Sequence, residues 1–283
     1  MRMLRARPSA RILDARDLNA ALDLCAQQPE DNVFVAARLQ EGALDGSTTQ
    51  VVGVEEDGKL VALCSAGANL VPVATTPRTR NAMLDRVSRT RRRTASLLGP
   101  AEQVLPLWEL LEDQWGAARS VRSPQPHLAS SVPPSTYGVS ADPRVRPALP
   151  SEVDLVLPAA EHMFTAEIGY PPYRGSSRAY RAIIARLVEQ RHTYVVVEND
   201  RVIFKADLGS VALGCAQIQG VWVQPELRGQ GFGTAAMAAV LEQVLAGVAQ
   251  TATLYVNHYN APARATYERI GMQQIGSFAT VLL

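Results

Sequence analysis

Apolar and polar positions along the chain repeat one pattern twice. In the first half Arg11-Ile12-Leu13 reads as a short strand, and Asp17 opens a helical spacing of Leu18, Leu22 and Cys25. In the second half Arg144-Val145-Arg146 is followed by Glu152 and the run Val153 to Met163. Each half continues with a hairpin of β-branched flanks around a polar turn containing Asp, from Val51 to Ala66 and from Tyr194 to Gly209. A further strand follows, Asn69 to Val73 or Gly220 to Val223. Each then predicts a helix, a short strand (Ala95 to Leu98; Thr251 to Val256) and another helix (Glu102 to Trp115; Pro262 to Ile270).

A repeat of this length is duplication of a domain, not a solenoid. Pro124, Pro126, Pro133, Pro134 and serines between the halves read as a linker. The expected division is a domain over 1–122, a Pro-rich linker over 123–142 and a second domain over 143–283. Two differences separate the halves. The second is about ten residues longer around Phe164 to Ser177, which holds Tyr170, Pro171, Pro172 and Tyr173. Where the first has ATTPRTRNAML, the second has QPELRGQGFGTAAM.

That glycine-rich stretch stands between Val221-Trp222-Val223 and a helical face of Met237, Val240, Leu241, Val244, Leu245 and Val248. A helix start carries N–H groups without intrahelical partners and the positive end of the macrodipole. Glycines let an anion approach them, so the loop suits a phosphate. A P-loop would require Gly-Lys-Ser/Thr, whereas Gly233 precedes Thr234 and no lysine is present. A dinucleotide loop fits Gly231, Gly233 and Ala236, but Gln224 to Gln230 separate it from its strand, Asn257 stands where an acid belongs, and only 50 residues follow Gly233.

The sequence from Gly220 to Val281 resembles the core of the GCN5-related N-acetyltransferases. Their acyl-CoA loop, Gln/Arg-x-x-Gly-x-Gly/Ala, is matched by Arg228, Gly229, Gln230, Gly231, Phe232 and Gly233; their second signature is matched by Asn260, Ala263, Tyr267, Gly271 and Met272. The chain is similar to a two-domain actinobacterial type with a degenerate N-terminal half. The resemblance implies an α/β fold of tandem GNAT-like domains, each with a mixed sheet, and an intact acyl-CoA loop in the C-terminal half alone. It implies acetyl-CoA, or another acyl-CoA, as co-substrate. Backbone N–H groups of the loop, Thr234 included, would wrap the CoA pyrophosphate, and Val221 and Val223 would pair with the pantetheine arm. The acceptor would be an amine, of a small molecule or of a protein, attacked directly without a covalent enzyme intermediate.

Acyl transfer requires a deprotonated amine, a polarised thioester and an acid for the departing sulfur. The resemblance makes Tyr267 that acid; by position alone it is an aromatic packed on a helix face. Asn260 either contacts CoA or caps its helix, with Pro262 in the first turn. Relatives carry a carboxylate on the strand before the loop, but CAQIQGVWV has Gln217 and Gln219 instead. Glu167, in the lengthened segment, is the first choice of base, ahead of Asp207, His162 and the Leu283 carboxylate; Glu226 reads as solvent-facing or a turn cap. The missing acid leaves a second reading, a non-catalytic acyl-CoA sensor.

Composition narrows this further. A net charge of +1 points to neither nucleic acid nor a membrane surface, and the basic run Arg89 to Thr94 reads as a helix end. Three distant cysteines, Cys25, Cys64 and Cys215, give no zinc spacing or disulfide framework and indicate a reducing cytoplasm. No apolar run approaches a membrane span, and the basic start MRMLRARPSARILDARD lacks a signal peptide's apolar stretch. A monomer is expected, with the tandem halves standing in for a dimer.

Overall fold

A computed structural model of the chain describes residues 8–46 and 49–283. The first seven residues of the basic start lie outside the described residues. The chain forms two compact units, each a mixed α/β layer structure.

The first unit extends to His127 and also takes Tyr255–Tyr259 and Gln274–Leu283. Strands β1 (Ser9–Ile12), β2 (Gln50–Glu56), β3 (Lys59–Ala66) and β4 (Asn69–Val73) pair antiparallel in order. Helices α1 (Leu18–Cys25) and α2 (Pro29–Gln40) intervene between β1 and β2. After α3 (Pro77–Ser88), β5 (Ser96–Pro100) pairs parallel with β4 through Asn69↔Ser96 and Leu70↔Leu97. Helix α4 (Ala101–Trp115) lays Val104, Leu107, Trp108 and Leu111 on this sheet, against Val52, Cys64, Leu70 and Leu97. Burial of such side chains is worth about 1.5–3 kcal/mol each. Strand β6 (Ser120–Ser130) follows α4.

The second unit spans Leu128–Leu254 and Asn260–Gln273. Strands β7 (Arg146–Pro147), β8 (Thr193–Glu198), β9 (Arg201–Ala212) and β10 (Cys215–Val223) pair antiparallel in order. Between β7 and β8 come α5 (Val153–Ile168) and α6 (Arg178–Glu189). Helix α7 (Phe232–Gly247) then leads to β11 (Thr251–Tyr255), parallel to β10, and to α8 (Ala261–Arg269). Both units therefore run four antiparallel strands, a helix and a parallel strand, the order that the repeat predicted. Helix α7 is buried at Ala236 to Leu241 on every side, and it ends before Val248, which is exposed.

Three features depart from the sequence reading. Helices α2 and α6 went unread, although Tyr180, Ile184, Leu187 and Val188 give α6 a clear helical spacing. The segment read as linker is structured. Its first part lies in β6, where Thr280 Oγ1 donates to Gln125 Oε1 at 2.8 Å and Val256 N donates to Pro126 O at 3.1 Å. Its second part is fixed to the second unit: Ser135 N donates to Glu242 Oε1 at 2.7 Å, and Asp142 N donates to Ala235 O at 3.0 Å. Tyr137 lies on Gly271, where an added Cβ would stand 2.1 Å from the ring. Finally, the last strand, β12 (Gln273–Leu282), pairs antiparallel with β5 from Phe278↔Pro100 to Leu282↔Ser96, within the first unit.

This placement of β12 has an experimental consequence. A fragment beginning at Arg144 keeps β12 but removes β5, leaving an apolar strand with unpaired backbone groups. We expect it to be aggregated or unfolded, by size exclusion and circular dichroism. A soluble, monodisperse fragment would refute that.

Candidate active site

Strand β10 accompanies β11 only from Cys215↔Thr251 to Gln217↔Thr253, so residues beyond Gln217 have no register partner there. On its other side the register with β9 slips between Gln219 and Trp222, leaving Gly220 and Val221 unmatched at a bulge. Bulges re-aim backbone groups and recur beside active sites. Trp222 packs on the α5–α6 face and stacks against His162 at 6.2 Å. Val221 and Val223 are partly buried.

The chain then turns through a short 3-10 segment, Pro225–Leu227, into the glycine loop. Its own side chains shape it: Arg228 Nε donates to Val223 O at 2.9 Å, and Gln230 Nε2 donates to Glu226 O at 2.7 Å. Gly229 and Gly231 have φ of +73° and +82°, with no atom within 4 Å of an added Cβ. Gly231 is the N-cap of α7 and no side chain caps that helix; Thr234 N and Ala235 N already donate to Gly231 O. Phe232 is clamped between Phe204, 6.3 Å away, and the Arg144 guanidinium, 5.4 Å away. The result is an open cradle at a helix start, fitted for phosphate. The corresponding helix start in the first unit is closed by its own residues. Thr76 Oγ1 caps α3 by accepting from Thr79 N at 3.3 Å, and Thr79 Oγ1 accepts from Thr76 N at 2.8 Å.

Asn260 is the N-cap of α8, its Oδ1 accepting from Ala263 N at 3.3 Å. Two turns on, Tyr267 is only 6 % exposed. Burial, and secondarily the charge of Glu167, raise its pKa above the usual phenol range. The structure thus puts Glu167, in the last turn of α5, within electrostatic reach of Tyr267. Glu167 itself is exposed.

Glu226 and the C-terminal carboxylate fall elsewhere, and Asp207 is already paired. Glu226 is exposed and its pKa is lowered by its own turn's backbone N–H and by Gln224. Leu283 lies in the first unit, its N donating to Ala95 O at 3.0 Å. Asp207 is buried on β9, where its Oδ1 accepts from Thr193 Oγ1 at 2.8 Å and its Oδ2 is paired with Lys205. Lys205 was not among the residues singled out. The lengthened segment carries an aromatic group: Phe164 lies 6.2 Å from Tyr170 and 6.0 Å from Tyr180, and Tyr173 OH donates to Glu161 Oε1 at 2.6 Å. Burial, then the charges of Asp207 and Glu161, push Tyr180 up to about 12.

Among the described residues, no group of three or more His, Cys, Asp or Glu could hold a metal, and no helix is long and apolar enough to cross a membrane. In the basic run, Arg89 pairs with Asp85 and Arg91 lies over Trp115.

The comparisons identify the fold around this glycine-lined helix start. Residues 160–272 match the model of the Acetyltransferase (GNAT) family, so the C-terminal half carries a GNAT domain, the class of enzyme that moves an acyl group from acyl-CoA to an amine. Residues 49–156 match a domain of unknown function, DUF4081. No curated protein matches the chain. Among solved structures, the chain is similar to a GCN5-related N-acetyltransferase from Sphaerobacter thermophilus, at 18% identity and TM-score 0.62 over 98% of this chain and 96% of that one. It is also similar to a tandem GNAT protein from the clavulanic acid biosynthesis pathway, at 18% and 0.57 over 97% and 98%. A GNAT-family acetyltransferase from Colwellia psychrerythraea matches at 11% and 0.54 over 97% and 99%.

Proposed function

We propose that the second unit transfers an acetyl group from acetyl-CoA to a primary amine by direct attack, and that the first unit is degenerate and binds no CoA. The observation that carries this is the contrast between two helix starts. That of α7 is uncapped and lined by Gly229, Gly231 and Gly233, while that of α3 is closed by Thr76 and Thr79. In this reading the loop's N–H groups hold the pyrophosphate, and the outer edge of Val221 to Val223 takes the pantetheine as an added strand would. Tyr267 supplies a proton to the departing thiolate, and Glu167 takes the amine's proton. The aromatic group from Phe164 to Tyr180 borders the acceptor. Three buried thiols fit a reducing cytoplasm.

Isothermal titration with acetyl-CoA tests the assignment, and we expect one site per chain, lost when the second unit's loop is altered. Two equivalent sites, or none, would refute it. A second reading, an acyl-CoA sensor, draws on one observation: β10 offers Gln217 and Gln219 where a base would stand, and Asp207 nearby is already paired. Turnover of acetyl-CoA with a panel of amines, followed by thiol release, separates the two.

A further inference from the structure

Lys205 and Asp207 form a buried ion pair, with side-chain exposures of 0% and 5%. Such a pair is costly to desolvate, and well-packed apolar residues in its place are often as stable or more so. Fold stability is therefore a poor account of it, and its position suggests another.

Both residues lie on β9 opposite the bulge of β10: Asp207 is the register partner of Gln219 and Lys205 that of Trp222. Between those two partners stand Gly220 and Val221, which β9 leaves unmatched. Lys205 Nζ donates to Gly220 O at 3.3 Å. Asp207 holds the ammonium through Oδ2, and Thr193 Oγ1 holds Asp207 through Oδ1. Gly220 has φ +60°, and an added Cβ would lie 2.8 Å from Asp207 Oδ2 and 3.0 Å from Lys205 Nζ. A side chain there would crowd the charged pair where it closes onto the strand. The peptide between Gly220 and Val221 is planar and trans, so fixing its carbonyl on Lys205 sends the Val221 N–H the opposite way.

We propose that the Lys205–Asp207 pair is a positioning device: by holding the Gly220 carbonyl it aims the Val221 N–H at the thioester carbonyl of bound acyl-CoA. This rests on the acyl-CoA reading above. Lys205 and Asp207 do not touch the substrate in this scheme. They act through one peptide group, a preorganised donor at the place where negative charge develops.

The test uses acetyl-CoA labelled with ¹³C at the carbonyl and isotope-edited infrared spectroscopy on the full chain. In the wild type the thioester stretch should move to lower frequency on binding. The double variant Lys205→Met with Asp207→Leu removes both charges together, avoiding an unpaired buried ion. It should bind acetyl-CoA with little change in affinity and lose the shift. A shift equal to wild type in the folded double variant, or no shift in the wild type, overturns the proposal. If the double variant does not fold, Thr193→Val takes its place: it keeps both charges and frees one Asp207 oxygen. A reduced shift supports the proposal and an unaltered one overturns it. Failure of the wild type to bind acetyl-CoA would instead bring down the functional reading itself.

Discussion

Replacing Gly231 or Gly233 by valine is expected to abolish acyl-CoA binding in a chain that still folds. Gly231 sits at φ +82°, a backbone conformation that a β-branched residue adopts only under strain. The strain is local, about 1–3 kcal/mol, because no atom lies within 4 Å of the new Cβ. That empty space is where the phosphate would enter, so a side chain there blocks the ligand and spares the core. At Gly233 a Cβ would stand 3.3 Å from Val223 Cγ2, so valine pushes the helix start away from β10. Hydrogen bonds to a charged group contribute about 1.5–3 kcal/mol each. Losing two raises Kd by at least about 100-fold. Titration with acetyl-CoA, alongside circular dichroism, measures both halves of the expectation. Normal affinity in both folded variants would remove the loop from the binding site.

Tyr267→Phe is expected to lower kcat by about 100-fold, within the usual span for general acid catalysis, while KM for acyl-CoA changes far less. The ring stays, so the packing of this 6 % exposed side chain survives. A phenol holds its proton at neutral pH, and here burial, reinforced by the charge of Glu167, opposes its ionisation further. A proton retained in the ground state and released to a developing thiolate is an interaction of the transition state, which is why kcat bears the loss. The assay needs a true acceptor and single-turnover conditions, since slow CoA release would hide the effect. An unchanged single-turnover rate would show that the thiolate departs without Tyr267.

The glycine loop proposed to hold acyl-CoA was legible in the sequence because its determinants are local. Glycines at Gly229 and Gly231 permit the positive φ, the apolar spacing fixes α7 behind them, and the polar turn before them separates loop from strand. The repeat was legible for the same reason, since each hairpin and helix carries its own periodicity. What lies far apart in the chain was not. The prolines of β6 argue against a strand, and only its neighbours, Thr280 and Asn257 among them, give its polar groups partners. The choice of β5 as partner for β12 is a matter of strand order, which periodicity does not encode. Lys205 and Asp207 alternate with Phe204 and Ala206, a pattern that in sequence reads as one core face and one wet face of a strand. In the folded chain both faces of β9 are covered, Phe204 meeting Phe232 on one and Met163 of α5 reaching the Gly220 bulge on the other. Tertiary burial thus turned two apparently solvated charges into an ion pair held by Thr193 and the Gly220 carbonyl inside the sheet, and it is this burial that decides what they do.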